Sequence, residues 1–272
     1  MLTIKNIVKA DSLQQAYELN QKASNRVLGG MLWLKMSRGS IQTAIDLSGL
    51  GLDTIEETPD SFSIGCMATL RQLEQHPGLC RYTNGAMKES LRSIVGVQFR
   101  NMATVGGSIY GRFGFSDVLT MFLSLDTMVE LYPAGLISLE EFSKIPHSKK
   151  MNDILVRLIV KKVPQACAYI SHRNTRTDFP VLTCATYCRG GHAGAVIGAR
   201  PGKPIIVRDE KNLLDNFQPE NIKAFASYVS EAISTGSNLR AGAKYRKHLA
   251  NVLTRRAFEA LAAEETKEGS PS

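Results

Sequence analysis

Hydrophobic and polar positions along the chain alternate with two different periods, which predicts a mixture of helices and strands. A first helix is predicted over 12–24, where apolar residues recur close to helical spacing behind an N-cap at Asp11 or Ser12. Further helices are predicted from Thr69 and over 87–95, 118–125, 219–233 and 245–261. Strands are predicted over 26–28, 43–47, 62–66, 101–105, 128–131, 154–163, 167–170, 181–188 and 195–199.

The composition is that of a soluble protein with a substantial core, because 43% of the 272 residues are hydrophobic and 21% are charged. At this length we expect at least two structural units. The net charge of +8 comes from Lys and Arg residues spread along the chain, so nucleic acid is not an expected partner. The amino terminus lacks a secretory signal, and the most apolar stretch, 118–129, is too short to cross a bilayer. We therefore expect a cytoplasmic protein without membrane insertion.

Common catalytic and metal-binding patterns are absent from the sequence. The five cysteines are odd in number and include no CxxC pair, which is typical of reduced thiols. There is no HExxH, GxGxxG, Walker-type GxxxxGK or GxSxG motif, and no histidine pairs locally with a carboxylate. We therefore predict no metal site, disfavour hydrolase chemistry and assign no catalytic residue.

Two glycine pairs are the informative feature of the chain. Gly29-Gly30 and Gly106-Gly107 each follow a predicted short strand, and Thr104, Ser108 and Asp117 supply polar groups near the second pair. Consecutive glycines let a backbone come close to a ligand and turn its N–H groups toward a phosphate. Two such loops are expected to hold one pyrophosphate; the alternative is that both pairs are only tight turns.

The glycine pairs belong to longer motifs that follow one another along the chain. These read VLGG at 27–30, IGCMATL at 64–70, RNMATVGGSI at 100–109, SDVL at 116–119 and NLRA at 238–241. In order and spacing they resemble the FAD-binding subunit, or medium chain, of molybdenum hydroxylases, the family that contains xanthine dehydrogenase and carbon monoxide dehydrogenase. The resemblance covers nearly the whole chain.

The resemblance implies an α+β fold with a two-subdomain FAD-binding region of the vanillyl-alcohol oxidase type, followed by a carboxyl-terminal domain of antiparallel sheet and helices. The implied boundaries are 1–54 and 55–164 for the two subdomains, 165–263 for the third domain and 264–272 for a disordered tail. The implied cofactor is FAD. A molybdenum-cofactor subunit and a 2Fe-2S subunit are the implied partners, with electrons passing through FAD to NAD or another acceptor.

The resemblance also implies roles for individual residues. Backbone groups of 28–32 and 104–108 would hold the pyrophosphate, and Asp117 would bind a hydroxyl of the ribose or ribityl portion. Ile94 and Leu155 would line the flavin or adenine, and Tyr169 begins a segment, 169–178, that would approach the flavin ring. The cofactor-binding residues implied in this way are Val27, Leu28, Gly29, Gly30, Met31, Leu32, Ile94, Asn101, Thr104, Val105, Gly106, Gly107, Ser108, Asp117, Leu155 and Tyr169.

The chain departs from the family pattern at several positions. Met31-Leu32 replaces the usual hydroxyl or acidic residue, Ile170-Ser171 stands where many members have a Lys, and 110–115 replaces a small polar linker. These departures support an alternative function, a non-catalytic accessory or scaffold subunit whose flavin site is degenerate. A free-standing flavin reductase is disfavoured because the chain has no nicotinamide-binding fingerprint.

Overall fold

The computed structural model describes residues 1–146 and 151–268, which form three β-sheets and the helices around them. The strands are β1 Leu2–Lys9, β2 Arg26–Leu28, β3 Gly39–Asp46, β4 Ile55–Glu57, β5 Ser61–Gly65, β6 Thr127–Tyr132, β7 Gly135–Ser138, β8 Ile154–Lys161, β9 Gln165–His172, β10 Leu182–Arg189, β11 His192–Gly198 and β12 Ile205–Arg208. The helices are α1 Leu13–Asn20, α2 Leu70–Gln75, α3 Pro77–Tyr82, α4 Ala86–Arg92, α5 Val97–Met102, α6 Val105–Tyr110, α7 Asp117–Leu123, α8 Leu139–Lys144, α9 Pro219–Ala232 and α10 Ala243–Glu268, with a 3₁₀ turn at Leu34–Met36.

The first sheet is a three-stranded parallel sheet in the order β1-β3-β2. The helix α1 connects its two outer strands and begins at Ser12, whose hydroxyl oxygen accepts a hydrogen bond from the N–H of Gln15 at 3.1 Å. Ala16 on this helix is fully buried. The strand β1 was not predicted, because an edge strand that exposes Lys5 and Ile7 lacks a clear buried face.

The second sheet contains five antiparallel strands in the order β4-β5-β8-β6-β7. Its core consists of side chains that alternate along the strands, such as Phe62 and Ile64 of β5, which are both fully buried. The strand predicted over 101–105 is wrong, because these residues end α5 and begin α6. Ala103 and Thr104 are extended, and the Thr104 hydroxyl caps α6, so a short break between two helices resembles a strand in sequence.

The third sheet is antiparallel in the order β12-β11-β10-β9. The helix α10 packs against it, and α9 packs on α10 and adds Ile222, Phe225 and Val229 to the same buried cluster. Gly190 and Gly191, with φ of +54° and +77°, form the two-residue turn between β10 and β11. The helix α10 extends through Glu268, into the segment 264–272 predicted to be a disordered tail; residues 269–272 lie outside the described residues.

Contacts between backbone segments divide the chain into two compact units. Unit 1 comprises 1–75, 96–112 and 127–161, and unit 2 comprises 76–95, 113–126 and 162–272. Each unit is therefore built from segments that are separated along the chain. The domain boundaries at 54, 164 and 263 stay predictions. No helix in the described parts of the chain is both long and apolar enough to span a membrane.

Candidate functional site

Unit 1 contains a cleft of about 520 Å³ at the ends of several strands and helices. Gly29 of the first glycine pair, the start of α6, the residues just after β5 and the start of β8 all contribute to its wall. The lining residues are Asn20, Arg26, Val27, Leu28, Gly29, Leu47, Cys66, Met67, Thr104, Gly106, Gly107, Tyr110, Gly111, Arg112, Met151, Asp153, Ile154 and Leu155.

The first glycine loop, 29–32, offers backbone donors at this cleft. Within the described residues, no acceptor takes the N–H groups of Gly29, Gly30, Met31 or Leu32. Met31 has a φ of +62°, a left-handed conformation that is uncommon for a residue with a side chain. Successive N–H groups without a protein acceptor, in a loop with a left-handed residue, are the usual elements of an anion-binding backbone site.

The N–H groups around the second glycine pair are hydrogen-bonded within the protein. The N–H groups of Val105 and Gly106 donate to the carbonyl oxygens of Ala68 and Cys66, both at 2.8 Å. Those of Gly107 and Ser108 donate to the hydroxyl and carbonyl oxygens of Thr104, at 3.1 Å each. The protein itself thus already uses the N–H donors of 105–108, and the role of this segment toward a phosphate stays a prediction.

The glycines of the two loops instead allow close approach of neighbouring chain segments. A Cβ at Gly29 would lie 2.9 Å from the Thr104 hydroxyl oxygen, and a Cβ at Gly30 would overlap the Met102 carbonyl oxygen. A Cβ at Gly106 would lie 2.7 Å from the Cβ of Cys66. Gly106 and Gly107 lie within α6 rather than in a turn, and none of these four glycines has a positive φ. Their missing side chains bring the first loop against α6 and form one side of the cleft.

Seven of the sixteen predicted cofactor-binding residues line this cleft; these are Val27, Leu28, Gly29, Thr104, Gly106, Gly107 and Leu155. Six others belong to unit 1 but not to the lining, namely Gly30, Met31, Leu32, Asn101, Val105 and Ser108. The remaining three, Ile94, Asp117 and Tyr169, belong to unit 2. The assignment of all sixteen to the cofactor stays a prediction.

The sequence did not indicate that Arg112 lines the cleft. Its side chain is 5% exposed, and its guanidinium lies 5.6 Å from the Tyr110 ring centre and 5.4 Å from that of Phe142. One guanidinium nitrogen, Nη1, donates to the Tyr110 carbonyl oxygen at 2.9 Å and to the Met151 sulfur at 3.0 Å. Burial lowers the pKa of Arg112, and the neighbouring Tyr110 opposes this effect. The one sequence signal for Arg112 is its position in the aromatic segment 110–115, which departs from the family pattern.

In unit 2, Asp117 is part of a buried polar cluster. Its carboxylate oxygen Oδ1 accepts hydrogen bonds from the Tyr169 hydroxyl at 2.5 Å and from Nη2 of Arg173 at 2.6 Å. Burial raises the pKa of Asp117 to about 6, against the opposing effects of Arg173 and Tyr169. Burial and the nearby Asp117 carboxylate raise the pKa of Tyr169 well above its ordinary value. Asp117, which is expected to bind a cofactor hydroxyl, thus already accepts hydrogen bonds from two protein donors at its Oδ1 atom.

Comparison with known proteins agrees with these features. A family model described as the FAD binding domain in molybdopterin dehydrogenase matches residues 3–164. The chain is similar to the xanthine dehydrogenase FAD-binding subunit of Escherichia coli O157:H7, with 26% identity over 220 residues and 75% of each chain covered. It is also similar to the glyceraldehyde dehydrogenase medium chain of Sulfolobus acidocaldarius, with 26% identity over 274 residues that cover 94% of this chain and 97% of the relative.

Among solved structures, the chain is similar to one from a carbon monoxide dehydrogenase of Hydrogenophaga pseudoflava that lacks the Mo-pyranopterin moiety of the molybdenum cofactor. The TM-score is 0.82 at 20% identity, and the match covers 94% of this chain and 96% of that chain. This likeness confirms the expected fold class, an FAD-binding α+β fold followed by a domain of antiparallel sheet and helices.

The fold and the cleft together define an α+β protein with a cleft that a glycine loop helps to line. The family match, which extends over more than half of the chain, specifies the cofactor as FAD. The chain belongs to the family of FAD-binding domains of molybdopterin dehydrogenases, and it is a flavoprotein subunit of the molybdenum hydroxylase type. The sequence-based identification of the family is confirmed.

Proposed function

We propose that the chain is the electron-transfer flavoprotein subunit of a cytoplasmic molybdenum hydroxylase complex. In this proposal a separate molybdenum-cofactor subunit hydroxylates the substrate, and a 2Fe-2S subunit passes the electrons to FAD on this chain. NAD or another acceptor then takes them from the flavin. The full-length similarity to a glyceraldehyde dehydrogenase medium chain supports a role as one subunit among several.

The observation that carries this proposal is the set of N–H groups at 29–32, which have no acceptor among the described residues and belong to a loop that reaches the cleft at Gly29. These donors suit a pyrophosphate, and Leu28 and Leu155 supply apolar wall for the aromatic parts of the cofactor. Arg112 adds positive charge to the same wall. The residues present therefore fit FAD.

Bound FAD would supply the redox chemistry, because flavins accept electrons both singly and in pairs. The protein's own part is to bind, orient and shield the cofactor. The first glycine loop would hold the pyrophosphate, and the Met31-Leu32 side chains add no polar contact of their own. The cluster of Asp117, Tyr169 and Arg173 would keep the 169–178 segment in place, since it ties β9 to α7.

The proposal is tested by the visible absorption spectrum of the purified chain before and after dithionite, with the released chromophore identified by mass spectrometry. We expect a flavin spectrum that bleaches on reduction and FAD close to one per chain. A colourless protein that does not take up added FAD would contradict the proposal and support the alternative, an accessory subunit with a degenerate flavin site. Met31-Leu32 and Ile170 are the sequence features that favour this alternative.

A further inference from the structure

The wall of the cleft in unit 1 contains a buried arginine. The charged side chains Arg26, Arg112 and Asp153 are among the residues that line this cleft. Arg26 is exposed, and its Nη1 donates to the carbonyl oxygens of Ala23 at 2.6 Å and Asn25 at 2.7 Å. Arg112 is only 5% exposed. Because water screens a buried charge less than an exposed one, Arg112 is the stronger partner for an anion in the cleft.

The backbone conformation of Arg112 is uncommon for a residue with a side chain. Its φ is +48°, in the left-handed region that glycine adopts without a steric cost. Arg112 is the second residue after α6, and its N–H donates to the carbonyl oxygen of Ile109 at 3.0 Å. Glycine is the usual residue in this conformation at the end of a helix. The helix end therefore does not explain the arginine, and its side chain is expected to have a role of its own.

Neutral groups hold the guanidinium of Arg112 in position. Its Nη1 donates to the Tyr110 carbonyl oxygen at 2.9 Å and to the Met151 sulfur at 3.0 Å, and the group lies 5.4 Å from the ring centre of Phe142. The Tyr110 hydroxyl donates to the Met151 carbonyl oxygen at 2.7 Å, which fixes the Tyr110 ring beside the guanidinium. These contacts orient the side chain in advance, so little conformational entropy is lost when it binds an anion.

The helix α6 connects Arg112 to the first glycine loop. A Cβ at Gly29 would lie 3.8 Å from the Cα of Gly107, so this loop adjoins the first turn of α6. Arg112 follows Gly107 by five residues, which corresponds to about 8 Å along a helix. Gly29 and Arg112 also line the same cleft. A ligand held by the N–H groups of the loop therefore shares the cleft with this cation.

We propose that Arg112 binds the pyrophosphate of FAD and supplies the positive charge that the glycine loop lacks. This inference rests on the proposed function, which assigns FAD to the cleft. Both phosphates are negatively charged, whereas the N–H groups of 29–32 are neutral donors and Met31 and Leu32 have apolar side chains. The N–H groups of 105–108 already donate within the protein. Hydrogen bonds from a guanidinium to phosphate oxygens are about twice as strong as those between neutral groups.

The proposal links two departures of this chain from the family pattern. At Met31-Leu32 the first loop lacks a polar side chain, and the segment 110–115 contains an arginine that lines the cleft. The charge of Arg112 thus compensates for the polar contacts that the loop lacks. Under this proposal, Met31-Leu32 is no longer a sign of a degenerate flavin site.

The test measures the dissociation constant of FAD for the full chain, freed of cofactor, by isothermal titration calorimetry at low and high NaCl. We expect Arg112→Gln to weaken FAD binding at least about tenfold, and Arg112→Lys, which keeps the charge, to weaken it less. The wild-type affinity should also fall more steeply with NaCl than that of Arg112→Gln, because the variant lacks a charge that salt screens. The matched control is Arg157→Gln. It removes an arginine of unit 1 that pairs with Glu130 at 3.0 Å outside the cleft lining, and should change the affinity by less than about twofold.

A second neutral variant, Arg112→Asn, covers the case in which Arg112→Gln does not fold, because asparagine adopts the left-handed conformation more readily. Thermal unfolding identifies the folded variants. A folded neutral variant that binds FAD as tightly as the wild type would overturn the role of Arg112. Weaker binding with the salt dependence of the wild type would also overturn it, since this result indicates a purely structural effect. A wild-type chain without affinity for FAD would refute the proposed function itself.

Discussion

At the scale of single residues, the first glycine pair is needed because neighbouring chain segments leave no room for a side chain, and not because the backbone conformation requires glycine. Gly30 has no positive φ, yet a Cβ there would overlap the Met102 carbonyl oxygen at the end of α5. The segment before α6 and the first loop touch at this point, so the shape of the cleft depends on the absence of a side chain.

We therefore expect Gly30→Ala to reduce the free energy of unfolding by about 1–3 kcal/mol and to lower FAD content, because the backbone must move to make room for the methyl group. Thermal unfolding and absorbance of bound flavin measure both effects. In the control variant Gly242→Ala the new methyl group meets nothing within 4 Å, and the cost should stay below about 0.5 kcal/mol. Equal stability of the two variants would show that the contact at Gly30 does not constrain the loop.

Asp117 makes the stability of the protein depend on pH. Its pKa is raised to about 6 in the folded chain, mainly by burial, from an ordinary value of 3.8. A carboxyl group whose pKa is higher in the folded state stabilises the protein below the ordinary value, and this stabilisation is lost as the pH rises through about 6.

We expect the wild type to lose on the order of 1–3 kcal/mol of unfolding free energy relative to Asp117→Asn between about pH 4 and pH 7. Chemical denaturation of both proteins across this range measures the difference, and comparison with the variant removes the contribution of other groups. Parallel stability curves for the two proteins would show that Asp117 titrates at the same pH whether the chain is folded or unfolded.

At the scale of elements, a buried ion pair fixes α2 against α5. Glu74 on α2 accepts hydrogen bonds from Arg100 on α5 at 2.9 and 3.2 Å and from Arg71 at 2.8 Å. Burial raises the pKa of Glu74, but the hydrogen bonds from Arg71 and Arg100 outweigh it, and the pKa lies below its ordinary value. The segment 103–104, which connects α5 to α6, therefore follows a helix that this pair holds in place.

Removing one partner of this pair should be costly, because it leaves the other charge buried. We expect Arg100→Met to reduce the unfolding free energy by about 3–5 kcal/mol, and the double variant Glu74→Leu/Arg100→Met to be more stable than Arg100→Met alone. Lys144→Met, which removes an exposed pair with Glu140 on α8, serves as the control and should cost less than about 1 kcal/mol. Urea denaturation measures all four proteins; a double variant less stable than Arg100→Met would contradict this account.

At the scale of the whole molecule, the chain is one component of a longer electron path under the proposed function. We therefore expect the isolated FAD-loaded chain to be reducible by dithionite but unable to oxidise xanthine or glyceraldehyde with an artificial electron acceptor. Restoring the molybdenum and 2Fe-2S subunits should restore turnover. Steady-state assays with and without these subunits measure this, and turnover by the isolated chain would contradict the assigned role.

The sequence by itself determined the features that depend on neighbouring residues. Periodicity and capping residues located α1, α4, α7, α9 and α10, and short motifs around the glycine pairs identified the family. These features are readable because helix caps, hairpin turns and glycine motifs act within a few residues.

Only the tertiary structure decided which hydrogen bonds and which packing contacts form between segments that are distant along the chain. It showed that the N–H groups of 105–108 donate within the protein, whereas those of 29–32 have no acceptor among the residues that the structure describes. It also showed that Asp117 accepts hydrogen bonds from Tyr169 and Arg173. It also placed the short edge strands β4, β7 and β12, which have too few residues for a clear pattern and are defined by pairing with strands elsewhere in the chain. A hydrogen bond between segments dozens of residues apart does not change the hydrophobic periodicity of either segment. Sequence patterns therefore reveal short-range interactions, and long-range interactions become visible only in the tertiary structure.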